Sequence, residues 1–362
     1  MFKTRKKMGF IIGQQLDGIR ILQPDRIPSD ATGFMRFGWV SDQINNAPEY
    51  DLKYEIYRPW HKYDMIIFIK SMGPRSMKVL RRNKQKGEKV IFDANVNYYE
   101  IWGKFYYDGM SPTEQQRLDA IEITSVADAV IADSTFLENT CRKYNPEVCW
   151  IPDNVNMDLV PSRPKSKINL NGRLSLLWSG QAIKLFELLA IENILKKFKE
   201  RIHLVLITNS LSKIDSWHAD YKERFLALLN DIEHEIIPFQ SIAQLLDIYS
   251  NGGVCIAPRF LDNSYNMAHT EWKITLGMAC GNMAICSPLP SYVDVAQRAE
   301  NGGIRICHTA DEWDNALDEL LTKDRMLDDE RDAARALVER YYSTEAVAAK
   351  HAGFVQNVLT SI

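Results

Sequence analysis

The chain has 362 residues, 46% of them hydrophobic and 25% charged, with a formal net charge of -3. That length predicts two domains rather than one core, and nothing in the balance demands nucleic acid or points to disorder. The six cysteines (141, 149, 255, 280, 286 and 307) form no CxxC pair and read as reduced, buried thiols. With no visible signal peptide and no apolar run long enough to span a bilayer, they predict a cytoplasmic protein.

Two segments, 9–13 and 19–22, compete as the opening strand. The second, extended to Gln23, is preferred because it leads into a polar, Pro-bearing loop, then Gly33 and a helix-like run over 34–44. A glycine there lets the backbone approach a ligand closely, and Arg36 in the first turn can grip a carboxylate or phosphate with both arms of its guanidinium. No GxGxxG pattern is present. Strands are predicted over 53–57 and 65–69, a helix over 77–83, and a buried strand over 90–92 that ends in Asp93. Ligands of open α/β sheets sit beyond the carboxyl ends of strands, so Asp93 is a candidate to act on a substrate hydroxyl, or else it caps the turn.

Basic residues gather at Lys3, Arg5, Lys6 and Lys7, and again at Lys78, Arg81, Arg82, Lys84, Lys86 and Lys89, broken by Glu88. They read as solvated faces or as a surface resting on an anionic membrane. Ser111-Pro112-Thr113-Glu114 predicts a helix start with Ser111 as the cap. A strand over 129–132, a helix from Ser134 and a strand over 148–151 complete the first α/β series, and 155–173 has the composition of a linker.

A second alternating series begins with a strand over 174–178. It ends in Ser179-Gly180-Gln181, with Lys184 just inside the next helix, so a glycine, a helix N-terminus and a lysine form a candidate anion site. Further strands are predicted over 203–207, 235–238, 254–257, 283–286 and 304–307, and the region from Asp311 reads as helical. Within 263–292, Asn263, Ser264 and Asn266 make a turn-prone lead-in. Thr270 can cap a short buried helix containing Trp272, Ile274, Leu276, Met278 and Ala279, and Gly281 stops it. Thr270 and Lys273 stand three residues apart at the front of that helix, where a hydroxyl and an ammonium can face one anion. An ordinary cap and a solvated lysine are the alternative.

Three stretches carry a resemblance: ADAVIADSTFLENTCRKYNPEVCWIPDNVN, WSGQAIK and EWKITLGMACGNMAICSPLPSY. They resemble GT-B glycosyltransferases, particularly the large retaining family numbered four, over nearly the whole chain. Lys273, Met278, Ala279 and Gly281 fit that family's K-x-x-E-x-M-A-x-G helix. The resemblance implies an α/β fold of two doubly wound Rossmann-like domains facing each other across a cleft. Residues 1–160 would form the acceptor domain and 161–340 the donor domain, with a helix over 341–362 returning to the first. It implies that Gly180, Gln181, Lys184, Thr270 and Lys273 hold the diphosphate of a nucleotide-sugar donor, and that Pro238 and Phe239 border its base. Gly33, Arg36 and Asp93 fall on the acceptor side. The nucleotide-diphosphate sugar is a co-substrate, no metal or other cofactor is implied, and the acceptor would be a glycan or a lipid-linked sugar, as in polysaccharide biosynthesis. Peripheral membrane contact fits such an acceptor, and nucleic acid is not a partner. The family's paired glutamates, eight positions apart, are replaced here by Ala268 and Leu276. A nucleotide-binding module without turnover and a nucleotide-sugar epimerase of the same fold are therefore the alternatives.

Overall fold

Short aliphatic runs separated by amphipathic segments become two parallel sheets in the computed structural model, which describes residues 5–13, 32–161, 169–170, 172–218, 220–322 and 327–361. The chain divides into two units. One comprises Met1–Ile101, Pro112–Asn154 and Tyr342–Ile362; the other comprises Trp102–Ser111 and Val155–Tyr341. The division therefore differs from a single cut near residue 160, because ten residues of the first half belong with the second unit. No helix among the described residues is long and apolar enough to cross a membrane.

In the first unit the sheet runs β2-β1-β3-β4-β5-β6, every pairing parallel, with β1 (Lys6–Ile12), β2 (Leu52–Ile56), β3 (Met65–Ile69), β4 (Lys89–Ala94), β5 (Ala129–Ala132) and β6 (Val148–Trp150). All five residues of β3 are buried, as expected of a central strand covered on both faces. The opening strand is thus the earlier candidate, whereas the preferred one, 19–23, lies outside the described residues. Helices α1 (Trp39–Asn46), α2 (Pro74–Gln85), α3 (Glu114–Val126) and α4 (Thr135–Cys141) connect the strands. Gly33–Gly38 forms a wider, π-type turn leading into α1, closed by the Trp39 N–H donating to the Phe34 carbonyl. The cap of α3 is Thr113 rather than Ser111: Thr113 accepts from the Gln116 N–H while the Gln116 side chain accepts from the Thr113 N–H. One face of the sheet buries Phe10, Phe37 and Ile67 against Val347, Ala352 and Val355 of the C-terminal helix, Thr344–Thr360.

The second unit opens with a two-residue strand, β7 (Asn169–Leu170), antiparallel to β8 (Arg173–Ser179). Beyond it come β9 (Ile202–Thr208), β10 (His234–Pro238), β11 (Val254–Ala257), β12 (Met283–Cys286) and β13 (Ile304–Ile306), parallel in the order β10-β9-β8-β11-β12-β13. Counted from β8, this is the strand order of the dinucleotide-binding fold. A tight helical run, Ala182–Ile191, leads into α5 (Glu192–Lys197). The later helices are α6 (Tyr221–Asp231), α7 (Ile242–Ser250), α8 (Ser264–Met267), α9 (Trp272–Ala279), α10 (Pro290–Arg298), α11 (Ala310–Thr322) and α12 (Leu327–Tyr341).

The segment Trp102–Ser111 lies across this second unit as a strap. Gly103 bridges Asn263, and the Lys104 N–H donates to the Asp262 carbonyl at 3.0 Å. Only glycine fits that approach, since a Cβ at position 103 would lie 1.9 Å from the Asp262 oxygen. Tyr106 then places its ring 4.7 Å from Phe186 and 4.8 Å from Phe260, while its hydroxyl donates to Asp262 at 2.6 Å. The strap so fixes the loop that precedes α8 and α9.

Candidate functional site

In the second unit the chain winds from β8 through β9 to β10, then returns past β8 to place β11 on its other side. The carboxyl ends of β8 and β11 therefore flank the point where strand order reverses, the place where open α/β sheets bind ligands. Gly180 follows β8 there and Arg259 follows β11 by two residues. Gly180 has φ +154°, and a Cβ on it would meet the Trp178 ring at 3.0 Å and the Lys273 Nζ at 3.4 Å. The glycine thus leaves room for an approach that a side chain would fill.

Lys273 reaches this point from the first turn of α9. Its stem is partly exposed, but its Nζ is sealed from solvent, has no hydrogen-bond partner among the described residues and stands 4.2 Å from the centre of the Trp178 ring. A lone buried ammonium is costly, and a ring face offsets only part of the lost hydration. Burial accordingly drives the Lys273 amine well below its ordinary value, with Arg259 and Lys184 pushing the same way and Glu187 opposing them. Arrival of a phosphate would supply the missing negative charge.

Two further cations frame the same end of the sheet. Arg259 is buried against Glu187 and donates to the Tyr292 hydroxyl at 3.3 Å. Burial opposes the Arg259 charge, but Glu187 and Tyr292 more than offset this and raise it above its ordinary value. Lys184, in the helical run after Gly180, lies 3.0 Å from His269 Nε2 and 5.2 Å from the centre of the Tyr265 ring. Tyr265 and His269 are held in turn by α8, which Asn263 caps through the Asn266 N–H at 2.8 Å. Arg259, Glu187, Tyr265 and His269 carried no motif in the sequence. The available signal was a charged residue two positions after the short buried strand VCIA.

The structure brings Gly180, Lys184 and Lys273 near one another at the switch point. Gln181 is exposed at the cap position of the Ala182–Ile191 run and makes no side-chain cap bond. Thr270 is not the cap of α9, because Glu271 occupies that position and itself makes no side-chain cap bond. Pro238 and Phe239 end the edge strand β10, with Phe239 45% exposed, so its aromatic ring is not buried at a strand end. Ala268 and Leu276, where the paired glutamates would stand, are both buried and apolar.

In the first unit Gly33 is buried in the first position of the π-type turn. Arg36 and Asp93 do meet, but as partners of each other: Nη2 donates to Oδ1 at 2.8 Å and Nε to Oδ2 at 3.2 Å, with the two side chains 4% and 0% exposed. Arg36 Nη1 also donates to the carbonyls of Ile151 and Pro152 and lies 3.5 Å from Asp153. The guanidinium thus grips a carboxylate of the protein itself. In this structure the two groups hold each other, where the sequence suggested Arg36 for a carboxylate or phosphate and Asp93 for a substrate hydroxyl or a turn cap.

No family model matches the sequence, and no curated protein matches it. Solved structures do match in fold. A sucrose-phosphate synthase from Thermosynechococcus elongatus is 15% identical, covers 98% of this chain and 99% of its own, and has a TM-score of 0.68. A glycosyltransferase from Rickettsia africae is 12% identical over 99% of this chain and 100% of its own, with a TM-score of 0.64. Anabaena HepE, solved in complex with UDP and glucose, is 11% identical over 98% of this chain and 100% of its own, with a TM-score of 0.64. The fold is GT-B: α/β, with two Rossmann-like parallel sheets flanked by helices.

Proposed function

We propose that this chain is a glycosyltransferase that takes a sugar from a nucleoside-diphosphate sugar and passes it to a glycan or lipid-linked acceptor. The observation that carries this reading is the Lys273 Nζ, enclosed beside Gly180 at the switch point of the second sheet with no acceptor among the described residues. A departing nucleoside diphosphate gathers negative charge, and fixed cations stabilise that change where water is excluded. Lys273 and Lys184 are the groups placed to do so, with Arg259 and its partner Glu187 bracing the wall behind them. Structural neighbours solved with UDP favour uridine as the base. The sequence resemblance to family four favours retention of configuration.

One observation favours a second reading, in which the donor binds but no transfer follows. Leu276 is 1% exposed and sits in the apolar side of α9, so no carboxylate stands where the resemblance calls for one. A thermal-shift screen against UDP, GDP, ADP, CMP and dTDP, with their common sugar conjugates, tests the shared premise, because a ligand bound only by the folded state raises its stability. Selective stabilisation by one diphosphate supports a donor site. Stabilisation without release of that diphosphate from its sugar in the presence of acceptor extracts supports the binding module, and no stabilisation by any of them overturns both.

A further inference from the structure

The contact between Lys184 and His269 joins two groups that cannot both carry a charge without repelling each other. The Lys184 ammonium has only protons to give, so at 3.0 Å it donates to a bare His269 Nε2, which puts the proton of the neutral ring on Nδ1. A further proton on Nε2 would remove that acceptor and set two cations side by side. Lys184 therefore has to turn away before His269 can be protonated there.

His269 is held from several sides. Its N–H donates to the Asn266 carbonyl at 3.1 Å, and its own carbonyl accepts from the Ser291 hydroxyl, in the first turn of α10, at 2.7 Å. Its ring stands edge-on to Tyr265, centroids 4.8 Å apart, and the Tyr265 hydroxyl shares a hydrogen bond with Tyr107 of the strap. The titratable groups facing this corner are thus Lys184 from the run after β8, Tyr265 from α8 and Tyr107 behind it, with the Lys273 amine close enough to feel the Lys184 charge. Among the described residues no carboxylate pairs with Lys184, which is half-buried. Its partner is an imidazole, which an arriving anion can displace.

We propose that His269 is a further residue of the diphosphate site, one that takes up a proton to hold the terminal phosphate of the free nucleoside diphosphate in preference to the intact nucleotide sugar. The inference rests on the donor-site reading above. A phosphate that draws the Lys184 Nζ to itself leaves His269 Nε2 without its donor and only one hydrogen-bond length from that nitrogen. A proton from solution then settles on Nε2, and the imidazolium donates to the same phosphate. In the intact donor the terminal phosphate is esterified to the sugar and has one ionisable oxygen. In the free diphosphate it has two, so the extra charge that rewards a protonated His269 belongs to the product.

The test is proton NMR of the imidazole C2–H resonances of the full chain as pH is varied, first free, then with UDP, then with UDP-glucose. The His269 resonance is the one lost in His269→Gln, and it reports this ring alone, whatever proton Lys273 takes up. Its titration midpoint is expected to rise with UDP and to rise less with UDP-glucose. Calorimetric titration gives the affinities. A glutamine still accepts from Lys184 but takes up no proton, so the variant is expected to match the unmodified protein for UDP above the imidazole range. Below that range it binds UDP more weakly, by about tenfold for each unit by which UDP raises the midpoint. An unchanged melting temperature confirms that the variant folds. A midpoint that UDP leaves in place or lowers overturns the proposal, as does an equal rise with UDP and UDP-glucose. An affinity deficit of the same size at every pH also overturns it, since that marks a residue that only supports the fold. Failure of the unmodified protein to bind any nucleoside diphosphate is a different result, because it removes the donor-site reading and the proposal with it.

Discussion

The Lys273 amine rests 4.2 Å from the centre of the Trp178 ring and has no hydrogen-bond acceptor among the described residues. Its pKa is driven well below the ordinary lysine value, so the free protein holds this amine neutral over a range of pH in which an exposed lysine is charged. A bound diphosphate reverses that balance, and binding must then draw a proton from solution.

Calorimetric titration of UDP in buffers of different ionisation enthalpy measures that uptake. The expected result is net proton uptake on binding at pH values between the lowered free value and the ordinary lysine range, with affinity falling as pH rises through that interval. Lys273→Met removes the uptake. Binding with no net proton exchange in the unmodified protein would show that Lys273 is charged before the ligand arrives.

Lys184 contributes differently, since its Nζ already has a partner, His269 Nε2 at 3.0 Å. A hydrogen bond to a charged group is worth about 1.5–3 kcal/mol. Lys184→Ala should therefore weaken UDP binding by roughly tenfold to a hundredfold. Uridine, which has no phosphate, should bind both forms equally in the same titration.

Breaking the buried pair of Arg36 and Asp93 should damage the first unit more than any substrate effect would suggest. Removing one partner of a buried ion pair costs about 3–5 kcal/mol because the other is left uncompensated. Arg36 answers to both Asp93 and Asp153, so Arg36→Met is expected to lose more than Asp93→Asn in urea denaturation. Equal small losses would mean that the cluster is strained rather than stabilising.

His351 makes the same unit sensitive to acid. Burial, followed by the charge of Arg36, lowers its pKa to about 3, while its Nδ1 lies 2.9 Å from the Tyr54 hydroxyl. The unfolded chain takes up a proton near the ordinary histidine value, which the folded chain refuses, so stability falls as pH drops from there toward the folded value. Between pH 7.5 and 4.5 this amounts to about 2–3 kcal/mol. Asp93 and Asp133, raised chiefly by burial, work in the opposite sense. The comparison is therefore between the unmodified protein and His351→Gln, whose stability should show a shallower fall with acid.

Periodicity made the strands legible. The residues 65–69, 129–132, 254–257 and 283–286 read from the sequence are the strands observed, because each is an apolar run too short for an ordinary helix. Helix starts were less legible: Thr113 and Glu271 occupy the cap positions where Ser111 and Thr270 were expected, since several polar residues in a row compete for one cap. Gly180, Lys184 and Lys273 could be nominated from glycine and helix signals alone. Arg259, Glu187 and His269 could not, because they enter the site through strand order, and a local window carries no record of which strand lies beside which. For the same reason Arg36 and Asp93, 57 positions apart, looked like two ligand-binding groups until the sheet placed them in contact.

The return of the last helix to the first unit bears on the order in which the protein can be made. The core around Phe10 and Ile67, which Phe37 and Val40 cover in part, is completed by Val347, Ala352 and Val355, so during synthesis that face of the N-terminal sheet waits for the helix Thr344–Thr360. The strap sets the reverse condition on the second unit, whose Asp262 loop leans on residues made long before it. A fragment starting at Val155 would fold without Tyr106 between Phe186 and Phe260, and a fragment ending at Asn154 would lack its closing helix. Each fragment would thus lack packing that its unit has in the full chain.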